Sequence, residues 1–300
     1  MKKNIFLLII TLFTSLALFS CGEGKVDITD AKYEPKLVIS GYIFPGQNVE
    51  RITIMRNVPL NANVNLSEIV LSKANVNITD VASGISYKLD FDQATQTFKY
   101  NGTALVIKCG ASYKLDVSAV VDGKTLNASS VTTVPKSGFA LMQKDLGEYV
   151  YHAKDANGVL QKINFDFKPS SDAKFYGVSL VAQNGSYSNF IKDNVYFEIK
   201  DSNDVIKNLD SYSKQFYWIQ DVNSAADKIN MKVEWIDVWF YGKYRLIVYA
   251  GDKNFMDFAI SNENLQEMDG NFHAPILNIT GDGIGIFGSA IPDTLWFSVK

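Results

Sequence analysis

Between Lys36 and Pro135 apolar residues alternate with polar ones in runs of four to eight, and turn residues break the runs about every 8 to 12 positions. Leu37, Ile39, Tyr42 and Ile43 open the first run, and Ile52, Ile54 and Met55 lie in the next. Val76 and Ile78, then Tyr87, Leu89 and Phe91, flank a turn at Asp80 to Gly84; Phe98 and Tyr100, Ala104 to Ile107, and Tyr113, Leu115 and Val117 follow. The last turn, Asp122-Gly123, has the composition of a tight hairpin, and Val131 to Val134 close the set. No stretch in this half has a helical period. Side chains that alternate every second residue can bury only one face, so such strands need a second sheet to cover them. Residues 36–135 are therefore predicted to form an immunoglobulin-like β-sandwich.

Pro135-Lys136-Ser137-Gly138 combines a ladder breaker with a flexible residue directly after a strand, and marks the joint to a second domain over residues 136–300. That half reads as β-rich, with strands at Ile163 to Phe167, Phe175 to Ala182, Val195 to Ile199, Met231 to Tyr241 and Tyr244 to Tyr249. Gly242-Lys243 is predicted to turn between the last two, and Gln183 to Ser188 and Asp201 to Asp204 to be polar turns. Near 252–268 the period changes: Phe255, Phe258, Ala259 and Leu265 fall at helical spacing, with Asp252 placed as the cap and Asp269-Gly270 as the stop. One amphipathic helix is predicted there, packed on the second sheet.

The first twenty residues belong to neither domain. Lys2 and Lys3 precede an apolar run from Ile5 to Leu18, too short and too interrupted by Thr11, Thr14 and Ser15 for a spanning helix. They read as a secretory signal. Leu18-Phe19-Ser20-Cys21 resembles the lipobox of bacterial lipoproteins. That resemblance implies cleavage after Ser20 and acylation of Cys21, the chain's link to the outer membrane, with residues 21–35 as a polar tether. Glu23 and Asp27 loosely resemble the acidic signal that sends some such lipoproteins to the cell surface. Each buried acyl methylene is worth about 0.8 kcal/mol, so two or more chains hold nearly permanently.

Composition narrows the function. The 300-residue chain has a formal charge of −3, two lysines of which leave with the signal, and no basic run, which excludes a nucleic-acid footprint. Cys109, the second cysteine, has no partner once Cys21 is acylated and is expected as a small buried hydrophobe in a strand. His152, expected in a short strand, and His273, in a loop, are the two histidines, and neither has a second histidine at metal spacing. No serine lies in a Gly-x-Ser-x-Gly elbow. Asp201-Ser-Asn-Asp204 begins like a calcium loop but lacks its glycine and closing glutamate. No catalytic residue, metal or cofactor is therefore assigned.

An aromatic belt stands out in the second half. Along a strand from Val233, Trp235, Asp237, Trp239 and Tyr241 would share one face, opposite Glu234, Ile236, Val238 and Phe240. These rings fill the core where a helix or another sheet covers them; any face left exposed would offer stacking surfaces to a ligand or partner, and Trp218, Trp235 and Trp239 are then the candidate binding residues.

The run Asn278-Ile-Thr-Gly-Asp-Gly-Ile-Gly-Ile-Phe-Gly-Ser289, after Phe272, Ala274 and Pro275, resembles the C-terminal signature of a family of Bacteroidetes lipoproteins of unknown function. Val38 to Ile43, Ala74 to Asp80 and Gly110 with Tyr113 to Val117 extend the likeness. Members are commonly encoded beside TonB-dependent outer-membrane transporters, which implies a role near nutrient uptake and no particular site residue. Physically, glycines alternating with Ile284, Ile286 and Phe287 let the backbone come close to another strand while the apolar residues lock it down.

The sequence thus leads to a non-enzymatic outer-membrane lipoprotein, at the cell surface or alternatively on the periplasmic face, that is an accessory or ligand-binding partner of a TonB-dependent transporter. A surface adhesion or structural lipoprotein is the alternative, and a hydrolase of an extracellular polymer a distant third.

Overall fold

The computed structural model describes residues 33–59, 62, 64–196, 202–263 and 275–300. Pro35–Lys300 make one compact unit, mainly β as expected. In the first half, β1 (Leu37–Ile43), β2 (Thr53–Arg56), β3 (Asn75–Asp80), β4 (Ser86–Asp92), β5 (Thr97–Lys99), β6 (Ser112–Val121) and β7 (Lys124–Thr133) follow in order, with a single helical turn, α1 (Leu66–Ile69), between β2 and β3. The period-2 pattern decides which way each strand faces: in β6, Tyr113, Leu115, Val117 and Val121 point inward, almost wholly shielded from solvent. The predicted hairpin forms, with Asp122 and Gly123 both at positive φ and Val121 paired with Lys124.

The second half contributes β8 (Ala140–Leu141), β9 (Asp145–Tyr149), β10 (Ile163–Lys168), β11 (Phe175–Ala182), helices α2 (Ser202–Lys207) and α3 (Leu209–Ser213), β12 (Lys214–Ile219), β13 (Ile229–Val233), β14 (Gly242–Gly251), helix α4 (Lys253–Glu263), β15 (Thr280–Gly281) and β16 (Gly283–Val299). One sheet runs β12-β11-β14-β16-β1-β2, with β9 beside β16; a second runs β15-β7-β6-β3-β4-β5, and a third β13-β10-β8. Two cores result. Residues from Leu37 to Val134, with Phe287, fill one, and residues from Phe139 to Val299 the other.

Strand β16 serves both cores. Gly283 to Ser289 pair in parallel with β1, and Ala290 to Val299 pair antiparallel with β14, so one extended segment changes neighbour midway. Close approach makes the glycines necessary. Gly285 has φ +107, and a Cβ there would lie 2.1 Å from the Ile39 carbonyl oxygen. Asp282 ties this region to β1 and β7: its backbone carbonyl accepts from Leu37 N–H (2.8 Å), and its carboxylate Oδ2 accepts from Asn127 N–H (3.0 Å).

A buried polar joint closes the contact between α4, β7 and β16. Asp252 caps α4 as predicted, its Oδ1 accepting from Phe255 N–H (2.9 Å) and from Ser289 N–H (3.2 Å). The Thr132 hydroxyl donates to its Oδ2 at 2.5 Å, and Asn254 Nδ2 donates to the carbonyls of Val131 and Phe287, both at 2.8 Å. Residues 264–268 of the predicted helix lie outside the described residues.

Several local expectations are corrected. Ala104 to Ile107 form no strand: Leu105 and Ile107 are buried from irregular chain, and the Tyr113 hydroxyl, which donates to Val106 O (3.0 Å) and accepts from Lys108 N–H (2.9 Å), replaces ladder bonds. That segment ends in a turn that leaves Cys109 exposed rather than buried. Met231 to Tyr241 is not one strand, because β13 stops at Val233 and Trp235–Asp237 form a 3-10 turn. There the Tyr244 hydroxyl bonds both the N–H and the carbonyl of Phe240, each at 2.9 Å. Gly242-Lys243 is no hairpin turn, since Gly242 opens β14. Asp201 to Asp204 is not a turn throughout, because Ser202 starts α2, and neither α2 nor α3 was expected from the sequence. His152 sits in a turn with φ +53. His273 and residues 197–199 of the strand expected at Val195 lie outside the described residues.

Candidate functional site

The alternation that builds the second core also defines its outer face. Tyr176, Val178 and Leu180 of β11 and Tyr244, Leu246 and Val248 of β14 point into the core, so Gly177, Ser179, Ile247 and Tyr249 point away from it. Register sets Trp218, Gly177 and Tyr249 in one row and Phe216, Ser179 and Ile247 in the next. Helix α4 covers one end of this face and drives Phe255 among the rings. Phe255 lies 4.9 Å from Tyr42, 5.3 Å from Phe175 and 6.1 Å from Phe216, the last pair stacked at 21°.

Gly177 makes this arrangement possible. A Cβ at that position would sit 2.8 Å from Phe216 Cζ and 3.5 Å from Phe255 Cζ, so the rings rest on bare backbone. Between the sheet and α4 remains an open cleft of about 410 Å³, lined by Tyr42, Phe44, Ser179, Phe216, Tyr249, Phe255, Phe258 and Ala259. Phe216 is 46% exposed at its wall. Beside it, sharing Tyr42 and Phe44, lies a polar annex of about 360 Å³ with Gln47, Asn48, Glu50 and Arg51.

Burial pushes the Tyr42 phenol well above its ordinary range, and the nearby Asp252 adds to the effect; burial also raises Tyr249. Both hydroxyls are therefore protonated donors at neutral pH. Asp252 is itself raised by burial, which outweighs its hydrogen bonds to Thr132, Phe255, Ser289 and Asn254. Among the described residues no three His, Cys, Asp or Glu are grouped to hold a metal ion.

The three tryptophans singled out from the sequence do not converge. Trp218 stands beside the cleft, 6.1 Å from Phe216 and 6.3 Å from Phe175. Trp235 is 3% exposed in the core, its Nε1–H donating to Gln161 O at 2.6 Å. Trp239 packs on Tyr212 (4.7 Å) and Phe190 (6.0 Å) at a separate flank of the same core. Tyr42 and Phe44 were missed as site residues. Their only sequence signal is aromatic character at the end of a strand from the other half of the chain.

The family described as a domain of unknown function (DUF4249) matches residues 23–293. The chain belongs to that family. No curated protein matches this DUF4249 chain at a significant level. Among solved structures, it is similar to a tetra-tandem repeat in the extending region of a large adhesion protein, at 10% identity over 89% of this chain and 50% of that one, TM-score 0.22. A DUF4785 family protein from Legionella pneumophila matches at 15% identity over 71% of this chain and 52% of that one, TM-score 0.25. The chain spans about half the length of these structures. At such TM-scores the likeness says nothing about what the DUF4249 chain does.

Proposed function

We propose that this DUF4249 chain is a lipid-anchored protein of the outer membrane, facing the cell surface. There it serves as a non-enzymatic, ligand-binding accessory of a TonB-dependent transporter. The observation that carries the binding role is the open aromatic cleft between α4 and the outer face of the sheet, a concave, mostly apolar site with a few polar groups at its edge. The address rests on the leader and Cys21, and the transporter on the resemblance of the C-terminal run. Tethering would keep such a module at high effective concentration beside a membrane partner.

The lipidated chain, purified from detergent-solubilised outer membrane, is expected to bring down a transporter barrel in near-equal amount. Cys21→Ala is expected to leave the membrane fraction. Recovery without any barrel would remove the accessory role, and an unmodified Cys21 thiol in the mature chain would remove the address.

A further inference from the structure

We infer that the cleft takes a small molecule of one kind: a flat, unsaturated ring system bearing an uncharged polar tail. This deepens the proposed binding role and rests on the cleft being the ligand site.

The argument begins with the wall chemistry. Six of the eight lining residues are aromatic, and the other two are Ser179 and Ala259, so the surface offers ring faces and edges with little aliphatic carbon. Flat faces and edges complement another planar π-system, worth about 0.5–1.5 kcal/mol per ring pair beyond the area buried. An acyl chain gains nothing from that geometry. A cleft of about 410 Å³ falls at the lower end of small-molecule sites, roughly 300–1,000 Å³, and suits a bicyclic or tricyclic system.

The annex supplies the second half of the class. Gln47 and Asn48 offer amide donors and acceptors, while Glu50 and Arg51 carry opposite charges, so the annex favours neither an anion nor a cation. The loop is held in shape. Val49 is 2% exposed between these exposed polar residues, and its carbonyl accepts from Tyr100 N–H at 2.9 Å. Arg51 has φ +59, a conformation that a non-glycine residue seldom adopts unless its surroundings impose it. Tyr42 and Phe44 belong to both compartments, so a ligand with its ring in the cleft would pass its tail directly into the annex.

The test uses the full mature chain in detergent and follows tryptophan fluorescence, to which Trp218 beside the cleft contributes. The planar probes are riboflavin, whose tricyclic ring carries a neutral hydroxylated tail, and menadione, a bicyclic ring without one. Riboflavin phosphate, maltohexaose and myristate are the comparisons. Riboflavin is expected to bind more tightly than all the others. Phe216→Ala should weaken it at least tenfold, which corresponds to about 1.4 kcal/mol. A Gln47→Ala, Asn48→Ala double substitution should weaken riboflavin and leave menadione unchanged. The inference is overturned if neither planar probe binds up to about 1 mM, a free energy near −4.1 kcal/mol. It is equally overturned if binding survives Phe216→Ala, or if maltohexaose, myristate or the phosphate ester binds best. Phe216 is 46% exposed, so its truncation tests the cleft rather than the fold. A chain that recovers a barrel but binds no planar probe loses only this ligand class; one that binds riboflavin without a barrel loses only the accessory role.

Discussion

Asp252 joins three elements through one carboxylate, and its removal can be reasoned quantitatively. In Asp252→Ala, α4 loses the acceptor for Phe255 N–H, a capping loss of about 1 kcal/mol. Ser289 N–H loses a buried acceptor, and an orphaned buried group costs about 1–3 kcal/mol, whereas the Thr132 hydroxyl keeps the Ser289 hydroxyl at 2.8 Å as a partner. Relief of a buried carboxylate offsets part of this, so the net loss should be about 2–4 kcal/mol. Asp252→Asn keeps an acceptor for the two N–H groups and should stay within about 1 kcal/mol of the parent. Acidity adds an independent signature. Burial raises the folded pKa of Asp252, so the native state holds its proton to higher pH than the unfolded chain does. This group's contribution therefore falls as pH rises from the unfolded value, about 3.9, through the raised folded one. Asp252→Asn should abolish that component of the decline. Urea unfolding followed by tryptophan fluorescence at several pH values reads both effects. With a slope of roughly 3 kcal/mol per M, the alanine variant's midpoint should drop by about 1 M. An alanine variant within about 0.5 kcal/mol of the parent, or an asparagine variant equally damaged, would refute the joint as described.

Two further outcomes follow from local geometry. Gly285→Ala puts a Cβ 2.1 Å from the Ile39 carbonyl oxygen at φ +107, and strain plus enforced separation of β1 from β16 should cost about 2–5 kcal/mol, read as a lowered urea midpoint. Cys109 is exposed, so Ellman's reagent should label it in the native chain without denaturant; labelling only after unfolding would contradict its placement.

Local chemistry was the legible part of the fold. Asp122-Gly123, the Asp252 cap and the close-approach glycines each depend on a few neighbouring residues, and each forms as read. The failures share a cause. At Ala104 to Ile107 and between Val233 and Gly242, tyrosine hydroxyls satisfy backbone groups that a strand would have paired, so residues with strand-like composition bury their side chains from irregular chain. Trp235 illustrates the result, since a face counted along an imagined strand turned out to be a 3-10 turn in the core. The cleft draws Tyr42 and Phe44 from one half of the chain and Phe216, Tyr249 and Phe255 from the other. Only the pairing of β1 with β16 and of β16 with β14 brings them together, and no spacing in the sequence encodes that.

That shared strand also sets an order of events. Leu37 finds its partner at Gly283, so the first strand among the described residues waits for nearly the whole polypeptide to emerge before its parallel edge is occupied. Closing so large a loop is entropically slow, and until it closes β1 is an uncovered template for any passing strand. A chain exported from its beginning would need its last seventeen-residue strand to finish its first sheet.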